Sequence, residues 1–234
     1  MNMPDIEIMV DSASRPELLG QIVSTLKKYL KYSGKIAWTL HEAVLFSDKS
    51  VECVKIGKEA GFDKILVEEA HGQGVSIGSC LRKAQCGYFI HWEDDSIAVR
   101  DIPLDNIVKC MDENPGVNQI VFNKRQTMHE VSGWPKKEIV KNNQKLTTSP
   151  HWRYTPAIWR VGFILPKWVD FYDSDNSHWQ INAELKKKSG HERPDADWII
   201  DNLGVYYWGP IGEEAYVKNI GRGASNRATG IVYK

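Results

Sequence analysis

Five short apolar runs, each set off from the next by a stretch with helical spacing, constrain this chain more than any other feature. Residues 6–10, 36–40, 64–67, 88–92 and 119–122 read as strands. Between the first two, Ser14-Arg15-Pro16-Glu17 has the form of a capping box. Leu18, Leu19, Ile22, Val23, Leu26 and Leu30 follow at helical spacing up to Gly34. Residues 50–60 predict a second helix stopped by Gly61, and residues 75–85 a third. Leu104, Ile107, Val108 and Met111 mark a fourth, closed near Gly116. Strand and helix alternating through short joints predict βαβ crossovers and a mostly parallel sheet flanked by helices. Sheets of this kind take ligands outside the carboxyl ends of their strands. Residues 11–15, 41–42, 68–73 and 93–95 should therefore meet in one crevice.

The second half carries weaker signals. Residues 131–150 are polar and Lys-rich and read as a mobile loop, and residues 154–165 read as extended. Residues 178–188 and 197–203 suggest short helices, and residues 205–208 and 215–220 suggest strands. Trp152, Trp159, Trp168, Trp179 and Trp208 fall in this half, where one or two can offer a stacking platform and the others build core. The whole chain, 234 residues, fits a single α/β domain.

Thirty basic and thirty acidic residues cancel, which excludes a protein that coats nucleic acid by bulk charge. No apolar run reaches the roughly 20 residues of a membrane span, and the first residues lack a signal peptide's features. The four cysteines form no Cys-x-x-Cys pair and read as idle thiols of a reducing, cytoplasmic setting.

Glu93-Asp94-Asp95 ends the fourth strand. Three adjacent acids repel one another, and a hard divalent cation, Mg²⁺ or Mn²⁺, offsets that charge while leaving positions open for phosphate oxygens. Glu93 and Asp95, two apart, point the same way on an extended segment.

The opening strand followed by Ser12-x-Ser14-Arg15-Pro16, together with Cys86-Gly87-Tyr88 leading into Glu93-Asp94-Asp95, resembles family-2 glycosyltransferases, which have the GT-A fold. The likeness is strongest over residues 5–125. It implies a nucleotide-sugar-binding half, 1–125, and an acceptor-binding half with a C-terminal lid, 126–234. In that family an Asp-x-Asp motif holds the metal, and here Glu93 stands for the first Asp. The resemblance places Ser12, Ser14, Arg15, Asp94 and Glu42 beside the nucleotide, Glu42 standing where the family has a base-binding Asp. Gln73 and Gly74 match its Gly-rich step in part, and Arg82 replaces an Arg of an absent Ala-Arg-Asn element. Asn219, in Val217-Lys218-Asn219-Ile220-Gly221, stands for the family's metal-side His, and Arg222 for a phosphate contact in the lid. The family's base is an acid at the start of a later helix. Glu184 is the first candidate here, followed by Asp175 and Asp173.

The implied activity is metal-dependent, inverting transfer of a sugar from a nucleotide diphosphate, UDP favoured, to a hydroxyl. The acceptor would be a glycan, a protein or a modified nucleic-acid base, such as modified DNA. Two other classes remain open. A non-catalytic nucleotide-sugar or glycan-binding relative would bind donor without turnover. A nucleotidyltransferase would need glycines after the first strand, and residues 11–15 have none.

Overall fold

Ile6–Ser12 (β1) is buried along almost its whole length, as befits a strand covered on both faces. The structure, a computed structural model, describes residues 5–70, 72–122, 138–141, 143–149, 152–153, 156–168 and 202–221. After β1 come α1 (Pro16–Tyr29), β2 (Leu30–Lys31), β3 (Ile36–Val44), α2 (Ser47–Glu59), β4 (Lys64–Glu69), α3 (Gln73–Lys83) and β5 (Tyr88–Glu93). They are followed by β6 (Ser96–Ala98), β7 (Ile102–Pro103), α4 (Leu104–Asp112), β8 (Gln119–Val121), β9 (Glu138–Lys141), β10 (Gln144–Thr148), β11 (Ala157–Arg160), α5 (Val161–Trp168), β12 (Val205–Trp208) and β13 (Val217–Asn219).

Nine strands form one sheet in the order β4-β3-β1-β5-β11-β8-β12-β10-β9. The pairings run all but β11 and β10 in one direction, so the sheet is mostly parallel. Period-two alternation along β1 sends Ile6, Ile8 and Val10 into a core with α1, α2 and α4. Met9 turns the other way, into a second core with Ile77, Cys80 and Leu81 of α3 and with Val161 and Ile164 of α5. All four cysteines are free, and three of them are buried. Among the described residues no helix is long and apolar enough to cross a membrane.

Four sequence expectations are corrected. The capping box does not form: Arg15 is the N-cap of α1 and no side chain caps it. Ser14 instead takes a left-handed conformation (φ 55°) and spends its hydroxyl on the loop after β3. α1 ends at Tyr29 rather than Gly34, because Leu30 is buried and pairs in β2 with β7. Part of the polar 131–150 stretch is a hairpin, β9–β10, that turns at Asn143 (φ 64°) and packs Ile139 and Leu146 on the core. The extended 154–165 stretch is a strand only through Arg160. Val161 and Ile164, three apart, then seat α5 on the second core.

The tryptophans follow the core reading where they are described. Trp152, Trp159 and Trp208 are buried, and Trp152 stacks on Phe163. Trp179 and the Trp168 side chain lie outside the described residues.

Candidate functional site

The parallel register aligns the carboxyl ends of four strands. Asp11 lies opposite His41 on one side and Glu93 on the other, Ser12 lies opposite Glu42, and His41 lies opposite Leu66. The four segments singled out from strand order thus share one edge.

Glu93 and Asp95 converge. The Ser96 hydroxyl lies 3.4 Å from Glu93 Oε2 and 3.1 Å from Asp95 Oδ1. Gln73 Nε2, in the first turn of α3, reaches Glu93 Oε1 at 3.4 Å, and Gly74 is buried beside it. Behind the acids, β13 pairs antiparallel with β6, Asn219 against Ser96. The Ile220 amide donates to the Asp95 carbonyl at 2.7 Å, and the Asn219 side-chain oxygen accepts from the Gly221 amide at 3.1 Å. A Cβ at Gly221 would fall 2.5 Å from the Asp95 Cβ, so only glycine fits there without displacement.

Asp94, between the two converging acids, is enclosed. Its side chain is fully buried, forms a fork with Arg15 Nε and Nη2, and accepts from the Ala13 amide at 3.2 Å. Burial pushes its carboxyl up to about 7 even with the Arg15 guanidinium against it, and Asp11 adds to the rise. Arg15 and Asp94, both expected at the nucleotide, therefore hold each other and fix the loop after β1 to the acidic triplet.

Glu42 is locked to the same loop. Its Oε1 accepts from the Ser14 amide at 2.9 Å and the Ser14 hydroxyl at 3.2 Å. That hydroxyl in turn accepts from the Leu45 and Phe46 amides. Glu42 Oε2 is buried, and the Cys53 thiol lies within hydrogen-bond reach of the Glu42 carboxylate. Ser12 is buried, with its hydroxyl 3.6 Å from Cys53 Sγ. Arg82 stands exposed, nine residues after Gln73 along α3, about 13 Å at the helical rise. Glu184, Asp175, Asp173 and Arg222 lie outside the described residues.

One buried group was not anticipated in this role. His41, 1% exposed, bridges Asp11 Oδ1 (Nδ1, 3.1 Å) and Glu68 Oε2 (Nε2, 3.3 Å), and Glu68 also accepts from Ser79 and Lys83. The signal was the shared parity of Asp11 and His41 at adjacent strand ends. Burial alone would lower the His41 pKa, but the hydrogen bonds and charges of Asp11 and Glu68 outweigh it and raise it. A raised native pKa gives stability that is full below the unfolded value and lost as pH rises through the native one. The melting temperature should therefore fall between about pH 6.5 and the higher native pKa. His41→Gln should flatten that fall in a pH series of thermal melts. An unchanged slope would show that His41 does not titrate there.

A divalent cation fits these residues. Among the described residues no three His, Cys, Asp or Glu side chains close on one point. However, Mg²⁺-type sites need only one or two carboxylates when phosphates of a bound substrate supply the rest. Glu93 and Asp95, meeting at one hydroxyl on an open sheet edge, are such a pair.

No family model matches the chain, and no curated protein matches it in sequence. Solved structures do match. The mannosyltransferase PcManGT from Pyrobaculum calidifontis, in complex with GDP-Man and Mn²⁺, aligns with TM-score 0.55 and 13% identity over 88% of this chain and 57% of its own. S. aureus TarS 1–349 in complex with UDP-GlcNAc aligns with TM-score 0.60 and 12% identity over 97% of this chain and 62% of its own. A further S. aureus TarS structure is covered over only 36% of its length, and the chain spans less than two thirds of each of these neighbours. At such identities the likeness is one of architecture: this chain has the GT-A-like fold seen in these glycosyltransferases.

Proposed function

We propose that the protein transfers a sugar from a nucleotide-diphosphate donor to an acceptor hydroxyl with inversion. The observation that carries this reading is the convergence of Glu93 and Asp95 at the carboxyl edge of a GT-A-like sheet. In this reading residues 1–125 hold the donor, and residues 126–234 supply the acceptor side and lid. Glu93 and Asp95 would hold Mn²⁺ or Mg²⁺, with the neighbouring Asn219 oxygen as a further candidate ligand. The ion would neutralise charge on the departing diphosphate.

The chain's own residues have separate tasks. The Arg15–Asp94 fork and the Ser14–Glu42 lock fix the loop that borders the nucleotide. Glu42 stands where the resemblance implies a base contact, and a carboxylate acceptor there would favour a base that presents an imino N–H, uracil or guanine, over cytosine or adenine. That matches the neighbours' GDP-Man and UDP-GlcNAc, and UDP remains the favoured class here. The acceptor oxygen attacks the anomeric carbon as the bond to the diphosphate breaks. The acceptor's proton passes to a carboxylate, proposed as Glu184 with Asp175 next. The acceptor class stays as the sequence implies: a glycan, a protein or a modified base.

The reading is tested by thermal shift with UDP, GDP, CMP and ADP and their sugar conjugates, with and without Mn²⁺. A Mn²⁺-dependent shift with a uridine or guanosine conjugate supports it, and no shift with any conjugate sinks it. Donor binding with no turnover on any acceptor would identify a binding module. Glu42→Gln should weaken the preferred donor by about 10–100-fold, because the amide must offer N–H to the base's own N–H once its oxygen serves Ser14. Equal affinity in a titration would remove Glu42 from base recognition.

A further inference from the structure

The residues placed beside the nucleotide leave one requirement unmet. Ser12, Ser14, Glu42 and Asp94 are all buried, none more than 2% exposed. They lie under the surface of the crevice, and none of them offers a base a flat apolar face. A base has two such faces, and laying one on an aromatic ring takes it out of water.

One ring stands at that edge. Phe46, two residues past the end of β3, is 37% exposed, and every other aromatic side chain among those described is buried or half-buried. An isolated exposed ring needs no explanation by itself. This one is fastened to the loop that borders the nucleotide. The Phe46 amide donates to the Ser14 hydroxyl at 3.1 Å, and the Phe46 carbonyl accepts from the Ser50 amide at 2.9 Å. With both backbone groups bonded, the root of the side chain is fixed beside Ser14, and only side-chain rotation aims the ring. Lys49 Nζ stands 5.8 Å over one face of the ring, which leaves the other for a base.

We infer that Phe46 is the stacking face for the base of the donor nucleotide. The inference rests on the donor-binding reading and adds a residue outside those that the resemblance places at the nucleotide. Stacking tolerates any base, because every base has a π-face. Phe46 therefore sets how tightly a nucleotide is held, and the choice among bases falls to the groups at their edge.

The experiment is calorimetric titration of the full chain with UDP, GDP and dihydro-UDP, each with Mn²⁺. Dihydrouracil keeps the N–H and carbonyls of uracil but is neither aromatic nor flat. Phe46→Ala changes a surface side chain and melts with the parent. It weakens the nucleotide that the parent binds by about 5–100-fold, the usual worth of one stacked base. Phe46→Tyr keeps the parent's affinity, and Phe46→Leu, apolar but not flat, falls with Phe46→Ala. The parent prefers UDP to dihydro-UDP, and Phe46→Ala removes that preference. Equal nucleotide affinity in Phe46→Ala overturns the inference. So does a Phe46→Leu variant that binds like the parent, or a preference for UDP that survives Phe46→Ala. A parent that binds no nucleotide with Mn²⁺ overturns the donor reading and this inference with it, so the parent's own titration tells the two failures apart.

Discussion

Asp95→Ala should abolish the Mn²⁺-dependent part of donor binding while the protein still folds. The backbone of residue 95 is held independently of its side chain, because its carbonyl accepts from the Ile220 amide. Truncation removes only a half-buried carboxylate that packs against Gly221 and accepts from the Ser96 hydroxyl. The structural cost should therefore be small, within about 1 kcal/mol, as for surface positions. The functional cost should be large. Neutralising a leaving diphosphate is worth several kcal/mol, so turnover should drop by about a thousandfold. Donor titrations with and without Mn²⁺, beside a melt, check both halves. A variant that keeps the parent's Mn²⁺ dependence would end the metal reading of the triplet.

Arg15→Met should be the most destabilising single change in the crevice, and its cost should depend on pH. It strands the fully buried Asp94 carboxylate, and breaking a buried pair from one side costs about 3–5 kcal/mol. For a chain of this size each kcal/mol moves the melting temperature by about 2–4 °C, so a drop of about 6 °C or more is expected at pH 8. Asp94 has a second way to lose its charge. Burial already raises its pKa from 3.8 to about 7 with Arg15 present. A raised native pKa makes stability fall as pH climbs from the unfolded value through the native one. Without Arg15 the native value climbs further and the fall steepens. At pH 5 the carboxyl is protonated in the variant and the deficit shrinks. Adding Asp94→Asn should recover much of the loss at pH 8. Equal deficits at pH 5 and pH 8 would show that Asp94 stays ionised without its partner.

The first half of the fold was legible because its code is local. Ile6, Ile8 and Val10 alternate with residues that serve the other core, and Leu19, Ile22, Val23 and Leu26 trace one helix face. Strand order then placed Glu93 and Asp95 at the carboxyl edge of the sheet. What escaped was decided by partners far along the chain. Ser14 with Glu17 satisfies every local rule for a cap, yet Ser14 is taken by Glu42, 28 residues on. Arg15 and Asp94 lie 79 residues apart, and nothing local says that they form a fork. The β9–β10 hairpin lacks an apolar stripe because Ile139 and Leu146 alone reach the core, so its composition reads as a loop.

The β6–β13 ribbon stands apart from the nine-stranded sheet. Three residue pairs and the Ile220 amide hold the end of the described chain on the acidic triplet. So short a ladder is a unit of low local stability that can open without the nine-stranded sheet. Proton exchange at the Ile220 amide thus reads out one quantity: how often the segment leading to Arg222 lets go of Asp95.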